Sequence, residues 1–167
     1  FGYNGDSEML SNMHDFAWRW SLDLVSDTRN NTIAYTYREN PYPKDLSAVY
    51  LNNISYNNDR KRVIEFAYED TDRLDLWYNY TYQGSKVQES RRLKEILVKA
   101  NNQLVRRYVL SYIFLEDDVK TISFISNITI FGADNTTSLP STKFGYHLGN
   151  GGWGNSTWRA PNCDSLD

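Results

Sequence analysis

Few residues in this chain of 167 have the types and spacing that chemistry demands. Nucleophilic catalysis needs an oriented histidine beside a hydroxyl or thiol. The two histidines, His14 and His147, flank the patterned region, and the single cysteine, Cys163, lies near the end. Nothing in the local sequence draws them together, so both histidines read as surface or edge residues. Calcium takes clustered carboxylate oxygens, which directs attention to Glu69-Asp70-Thr71-Asp72 and Glu116-Asp117-Asp118. Neither run has the glycine and distal acid of an EF-hand loop, and both read as solvated turns. Asp23 and Glu65 are the acids that a glycosidase pair would draw on. Both fall mid-strand in alternating runs, where an acid normally sits on the wet face. Residues 149–154 are glycine-rich but lack the Lys-Ser/Thr of a phosphate loop and the strand–helix context of a dinucleotide site. They read as a connector. No catalytic residue, cofactor or metal is expected, and the protein is not expected to be an enzyme.

Modification is better represented than catalysis. The pattern Asn-x-Ser/Thr occurs at Asn30, Asn53, Asn79, Asn127, Asn135 and Asn155, against about two or three expected by chance from the composition. Asn30 in a turn and Asn135 in a loop are the best placed for glycans. An extracellular or cell-surface protein is therefore expected. Cys163 has no partner within the chain, so any disulfide it forms is with another chain. The net charge of −3, from 18 basic and 21 acidic residues spread along the chain, gives no reason to expect nucleic acid. No stretch approaches the roughly 18–20 apolar residues of a membrane helix. Phe1 opens on what already reads as structured chain, as expected of a sequence cut from a longer one.

The elements that would position these side chains are strands. Hydrophobic residues make up 40% of the chain, yet the mean hydropathy is −0.65. That combination fits sheets with one wet face. Thirteen Tyr and five Trp suit pleated, half-buried surfaces. Residues 16–25 alternate, with Phe16, Trp18, Trp20, Leu22 and Leu24 in phase, and predict one strand. A turn through Asn30-Asn31 leads to a second strand carrying Ile33, Tyr35 and Tyr37. Pro41 and Pro43 break the ladder. Further strands are expected at 46–56, at 61–68 with Phe66 in phase, and at 74–82 around Trp77. Residues 91–99 and 104–114, the latter with Tyr108 and Tyr112, flank Ala100-Asn101-Asn102-Gln103 as a hairpin. Leu93, Ile96 and Leu97 also fit helical spacing, but the β-branched content and the following turn favour strand. Residues 119–131 and 142–147 complete eight or nine strands, with Ile122, Phe124, Ile128 and Ile130 expected on one face. The fold class is all-β, an antiparallel meander forming a curved sheet or part of a β-shell.

Six segments, in this order, resemble a known family. Trp18-Arg19-Trp20-Ser21-Leu22-Asp23 with Asn30-Asn31-Thr32-Ile33-Ala34-Tyr35-Thr36-Tyr37 is similar to its strand–turn–strand opening. Tyr42-Pro43-Lys44, Phe66-Ala67-Tyr68-Glu69-Asp70, Arg92-Leu93-Lys94-Glu95-Ile96, Leu104-Val105-Arg106-Arg107-Tyr108-Val109-Leu110-Ser111-Tyr112 and Leu139-Pro140-Ser141-Thr142-Lys143-Phe144-Gly145-Tyr146 follow. Together they resemble the SpvB-type β-shell segment of Tc toxin B components and their Rhs-like relatives, over about residues 16–147. Where the family has a turn glycine, this chain has Asn30, which tolerates the left-handed backbone.

The resemblance implies residues 1–15 as a lead-in, 16–147 as the β segment and 148–167 as a connector carrying Trp153 and Trp158. It also implies a non-catalytic role in a shell that encloses or presents a cargo, with neighbouring β segments of the same or another chain as partners. Trp18, Trp20, Tyr35, Tyr37, Phe66, Trp77, Tyr108 and Tyr112 are expected to pack or assemble, and Trp153 and Trp158 to plug into a neighbour or stack on sugar. The other expectation is a glycosylated β-protein that builds an extracellular fibre or surface layer, or binds carbohydrate.

Overall fold

The computed structural model describes residues 1–2, 4–11, 16–57, 59–76, 78–81, 84–117 and 120–146. Twelve strands are found among them: β1 (Glu8–Leu10), β2 (Ala17–Trp20), β3 (Leu24–Ser26), β4 (Thr32–Glu39), β5 (Val49–Tyr56), β6 (Arg62–Tyr68), β7 (Asn79–Tyr80), β8 (Lys86–Val87), β9 (Leu93–Ala100), β10 (Gln103–Asp117), β11 (Lys120–Phe131) and β12 (Thr142–Lys143). Eight of them form one sheet in the order β12-β11-β10-β9-β6-β5-β4-β3, with β1-β2 and β7-β8 as separate two-stranded ribbons. Every pairing in the large sheet is antiparallel. The all-β meander expected from the alternation is the observed fold.

Turn chemistry sets the registers. Between β3 and β4, Asp27 accepts the backbone N–H of Arg29 at 2.8 Å and of Asn31 at 2.9 Å. Asn30 then takes φ +60°, a left-handed geometry that asparagine tolerates. Between β9 and β10, Ala100 pairs with Gln103, and Asn101 and Asn102 have φ of +51° and +62°. That is a two-residue turn of the primed kind, whose twist matches the strands it joins. Within the 91–99 segment the chain is strand from Leu93, continuing to Ala100, as its β-branched content argued, and not helix.

Two long strands were expected where the chain makes short ones. Residues 16–25 divide into β2 and β3, which belong to different sheets. The break at Ser21-Leu22-Asp23 is pinned from outside: Ser21 N–H donates to Ser7 O at 2.7 Å, Leu22 O accepts the Tyr37 hydroxyl at 2.6 Å, and Asp23 accepts Asn4 N–H at 3.1 Å. Asp23 is 2% exposed, so it is not the wet-face acid that alternation implied. Likewise, among the described residues of 74–82, only Asn79–Tyr80 is strand, and it pairs with β8 outside the large sheet. At the other end, among the described residues of 142–147, only Thr142–Lys143 is strand, paired with β11.

Bulges interrupt the pleat and shift its phase. Register shifts leave one extra residue at Trp18 against β1, Asn52 against β4, Lys94 against β6, Val105 against β9 and Ser126 against β10. Side chains alternate with period two, so the extra Ser126 puts Ile122 and Phe124 on one face and Ile128 and Ile130 on the other. The single phase expected for those four residues is corrected on this point.

Candidate functional site

Two cross-strand ladders define one face of the large sheet. Tyr35, Ile54, Ile64 and Val98 lie side by side on β4, β5, β6 and β9. Phe66, Ile96, Tyr108 and Ile130 continue on β6, β9, β10 and β11. Each of these eight is only partly buried. Among the described residues, the buried apolar ones are Met9, Ala48 and Tyr50, and Tyr50 alone belongs to the sheet. A sheet this wide normally buries one face. Among the described residues, no second layer fills the centre of the apolar face.

The opposite face is polar and ion-paired. Thr36, Asn53, Glu65, Leu97 and Arg107 form one rung across it. Glu65 holds Lys99 at 2.6 Å and Glu95 holds Arg107 at 2.7 Å. Cross-strand pairs of opposite charge support the pairing of their strands.

Carboxylates fix the loops around the sheet. Asp45, 6% exposed, accepts the Tyr50 hydroxyl at 2.8 Å, Ser90 N–H at 2.9 Å and Ser90 Oγ at 2.7 Å. Its second oxygen takes Tyr42 N–H at 3.0 Å. Burial, followed by the Asp45 hydrogen bond, pushes the Tyr50 phenol far above its ordinary value. Asp75 plays a similar part at the edge of β11. It receives Arg73 at two points, 2.9 and 3.0 Å, with Ser123 N–H at 2.9 Å and Ser123 Oγ at 2.6 Å. Burial alone would raise this carboxyl, but the Arg73 and Ser123 hydrogen bonds outweigh it and hold Asp75 well below the usual carboxylate range. Arg92 pairs with Glu69 at 2.7 and 2.9 Å while its guanidinium lies 4.4 Å from the Tyr112 ring and 4.9 Å from that of Phe114.

Of the two acidic runs singled out in the sequence, Glu69-Asp70-Thr71-Asp72 is engaged with bases, while Asp118 and the side chains of Glu116 and Asp117 lie outside the described residues. Glu69 holds Arg92, Asp70 holds Lys94 at 2.9 Å, and Asp72 holds Lys44 at 2.8 Å and Arg91 at 2.9 Å. Among the described residues, no group of three or more His, Cys, Asp or Glu is placed to hold a metal. Asp23 and Glu65 are not brought together: Asp23 O accepts Tyr35 N–H beside β4, three strand positions from β6. That is about 14 Å at the usual strand spacing, wider than the carboxyl separations of glycosidases.

The expected packing residues fall into two groups. Tyr35, Phe66 and Tyr108 lie on the apolar face, while Tyr37 donates its hydroxyl to Leu22 O between β2 and β3 and Tyr112 donates its own to Leu93 O at the start of β9. Trp18 is the half-buried bulge residue of β2, and Trp20 is 53% exposed. Of the sequon asparagines, Asn30, Asn79 and Asn135 are exposed, whereas Asn53 and Asn127 are half-buried within strands. Trp77, Asn155, Trp153, Trp158, Cys163, His14 and His147 lie outside the described residues. Asp45 and Asp75 were not anticipated. The Arg73-Leu74-Asp75 spacing was the only local signal for the second of these, and nothing local marked the first.

These features define a β-wall: a broad antiparallel sheet with paired charges on one face and an open apolar ladder on the other. The fold is similar to that of a segment in the crystal structure of TcdB2-TccC3-Cdc42, with a TM-score of 0.70 at 15% sequence identity. The match covers 87% of this chain and 10% of that one, so the chain spans about a tenth of the length of its structural counterpart. The resemblance to Tc toxin proteins seen in the sequence therefore holds for the fold. No family model and no curated protein matches the chain.

Proposed function

We propose that the chain is a non-catalytic structural module, a stretch of wall in a β-shell of Tc toxin type that encloses or presents a cargo. The observation that carries this reading is the apolar ladder through Tyr35, Ile54, Ile64, Phe66, Ile96 and Tyr108, half-buried in the chain by itself. Burying an apolar side chain is worth about 1.5–3 kcal/mol, and open apolar patches of this breadth mark contact surfaces. In a shell, neighbouring segments supply the missing cover, and the paired-charge face meets water or cargo. The likeness of fold to a Tc toxin assembly supports the same use.

Cysteine accessibility tests it. In a Cys163→Ser background, Ile64→Cys and Tyr108→Cys are placed both in the isolated chain and in the native full-length protein. Maleimide labels both positions in the isolated chain and at least tenfold more slowly in the native protein. Equal labelling in the two settings sinks the wall reading.

A second reading rests on Asn30 and Asn135, exposed sequon residues with φ of +60° at turns. It makes the chain a secreted glycoprotein that assembles at the cell surface. Loss of mass from the native protein on enzymatic deglycosylation supports this reading, and an unchanged mass removes it.

A further inference from the structure

The half-buried bases of this chain follow a rule that Arg38 breaks. Arg73, Arg91, Arg92, Lys94, Lys99 and Arg107 each have a carboxylate oxygen within 2.9 Å. Lys86 lies 4.0 Å from the centre of the Tyr78 ring. Arg38, equally half-buried, has no carboxylate among the described residues. Its guanidinium sits 5.9 Å from the Tyr68 ring centre, and its Nε is closed off from solvent without an acceptor. A charge taken from water without a partner is costly. A position that keeps one is therefore a candidate binding site.

Arg38 also lines a cleft of about 440 Å³, together with Tyr42, Asn53, Glu65, Tyr68 and Asp70. Its two acids are already neutralised, Glu65 by Lys99 and Asp70 by Lys94. The cleft is left with one uncompensated positive charge. The Tyr68 hydroxyl is spent on Leu51 O at 2.9 Å, while the Arg38 fork and the Asn53 amide are among the polar groups that line the cleft. A planar monoanion matches the guanidinium at two points and brings the cleft to neutrality. A dianion such as phosphate would instead leave surplus negative charge beside Glu65 and Asp70.

We propose that this cleft is a binding site for a carboxylate, with Arg38 taking the two oxygens and Asn53 orienting the rest of the ligand. The volume suits a free acid of sugar-acid size, and a glutamate side chain of an adjoining segment presents the same group. The site does not depend on the wall reading, since it lies on the polar face over the rung Thr36, Asn53, Glu65 and Leu97.

The experiment is a titration of the ¹⁵N-labelled protein followed by NMR at the Arg38 Nε–H and Asn53 Nδ2 signals. The probes are D-glucuronate and N-acetyl-glutamate α-amide, with D-glucose and inorganic phosphate as controls. Both carboxylates are expected to shift these signals saturably, the tighter of the two identifying the natural source, while glucose and phosphate leave them in place. Arg38→Gln is expected to weaken binding at least tenfold. Arg38→Lys, which keeps the charge without the fork, stands in if the glutamine variant does not fold. The proposal is overturned if neither carboxylate shifts the signals, if glucose or phosphate does so equally, or if the Arg38 variant binds as well as the parent.

Discussion

Asp75→Ala is the perturbation with the clearest consequence. The substitution removes four hydrogen bonds to one carboxylate, two from Arg73 and two from Ser123. It strands the Arg73 guanidinium, whose side chain is only 22% exposed. Removing one member of a buried pair costs about 3–5 kcal/mol. Because Arg73 retains some water, the lower end applies, about 3 kcal/mol. For a chain of this size each kcal/mol moves Tm by about 2–4 °C, so thermal unfolding followed by circular dichroism at pH 7 should fall by roughly 6–12 °C. Ser123→Ala removes only the hydroxyl donor and should cost about 1 kcal/mol. Because the two residues touch, the double variant should lose less than the sum, with a coupling of roughly 1 kcal/mol. The folded carboxyl lies below its unfolded value, so its stabilisation is fully present above the unfolded pKa of about 3.9 and fades as pH falls further. The penalty of Asp75→Asn should therefore be constant from pH 7 to 5 and shrink below about pH 4. A Tm change under about 2 °C for Asp75→Ala, or strict additivity with Ser123→Ala, would refute the idea that this carboxylate clamps the edge of β11.

Two further outcomes follow from the loops. Asp45→Ala leaves the Tyr50 hydroxyl, Ser90 and the Tyr42 N–H without their shared acceptor, and should lower stability by about 3 kcal/mol in urea unfolding; a loss below about 1 kcal/mol contradicts the assignment. Asn102 holds φ of +62° in the β9–β10 turn, so Asn102→Ala should cost about 1 kcal/mol while Asn102→Gly is neutral or mildly stabilising. Equal effects of the alanine and glycine variants in the same assay would remove backbone conformation as the cause.

Period-two alternation made most of the large sheet legible, because β4, β5, β6, β9, β10 and β11 present side chains to two different environments. Alternation carries no information about where a strand leaves its sheet. Residues 16–25 keep their phase through Ser21-Leu22-Asp23, and only the distant partners Ser7, Tyr37 and Asn4 reveal that the chain turns away there. The same blindness hid Asp45, whose partners at Tyr50 and Ser90 come from β5 and from the segment after β8. Arg38 escaped notice for a further reason. A missing partner can be seen only once every neighbouring charge has been placed.

The extra residue at Ser126 bears on how this sequence can vary. Beyond it the strand runs out of step with its own first half, so the face shown by Ile122 and Phe124 depends on chain length and not on side-chain chemistry. Replacing Ser126 changes one contact. Deleting it would turn the β11 segment from residue 122 to 125 inside out relative to Ile128 and Ile130, exchanging the surfaces that Phe124 and Ser123 now occupy. Ser123 would then face away from Asp75, and the edge would lose its clamp without any change to the clamp itself. For this ribbon, insertions and deletions are more severe than any substitution, and the number of residues between Ser123 and Ile128 is the quantity that the structure constrains.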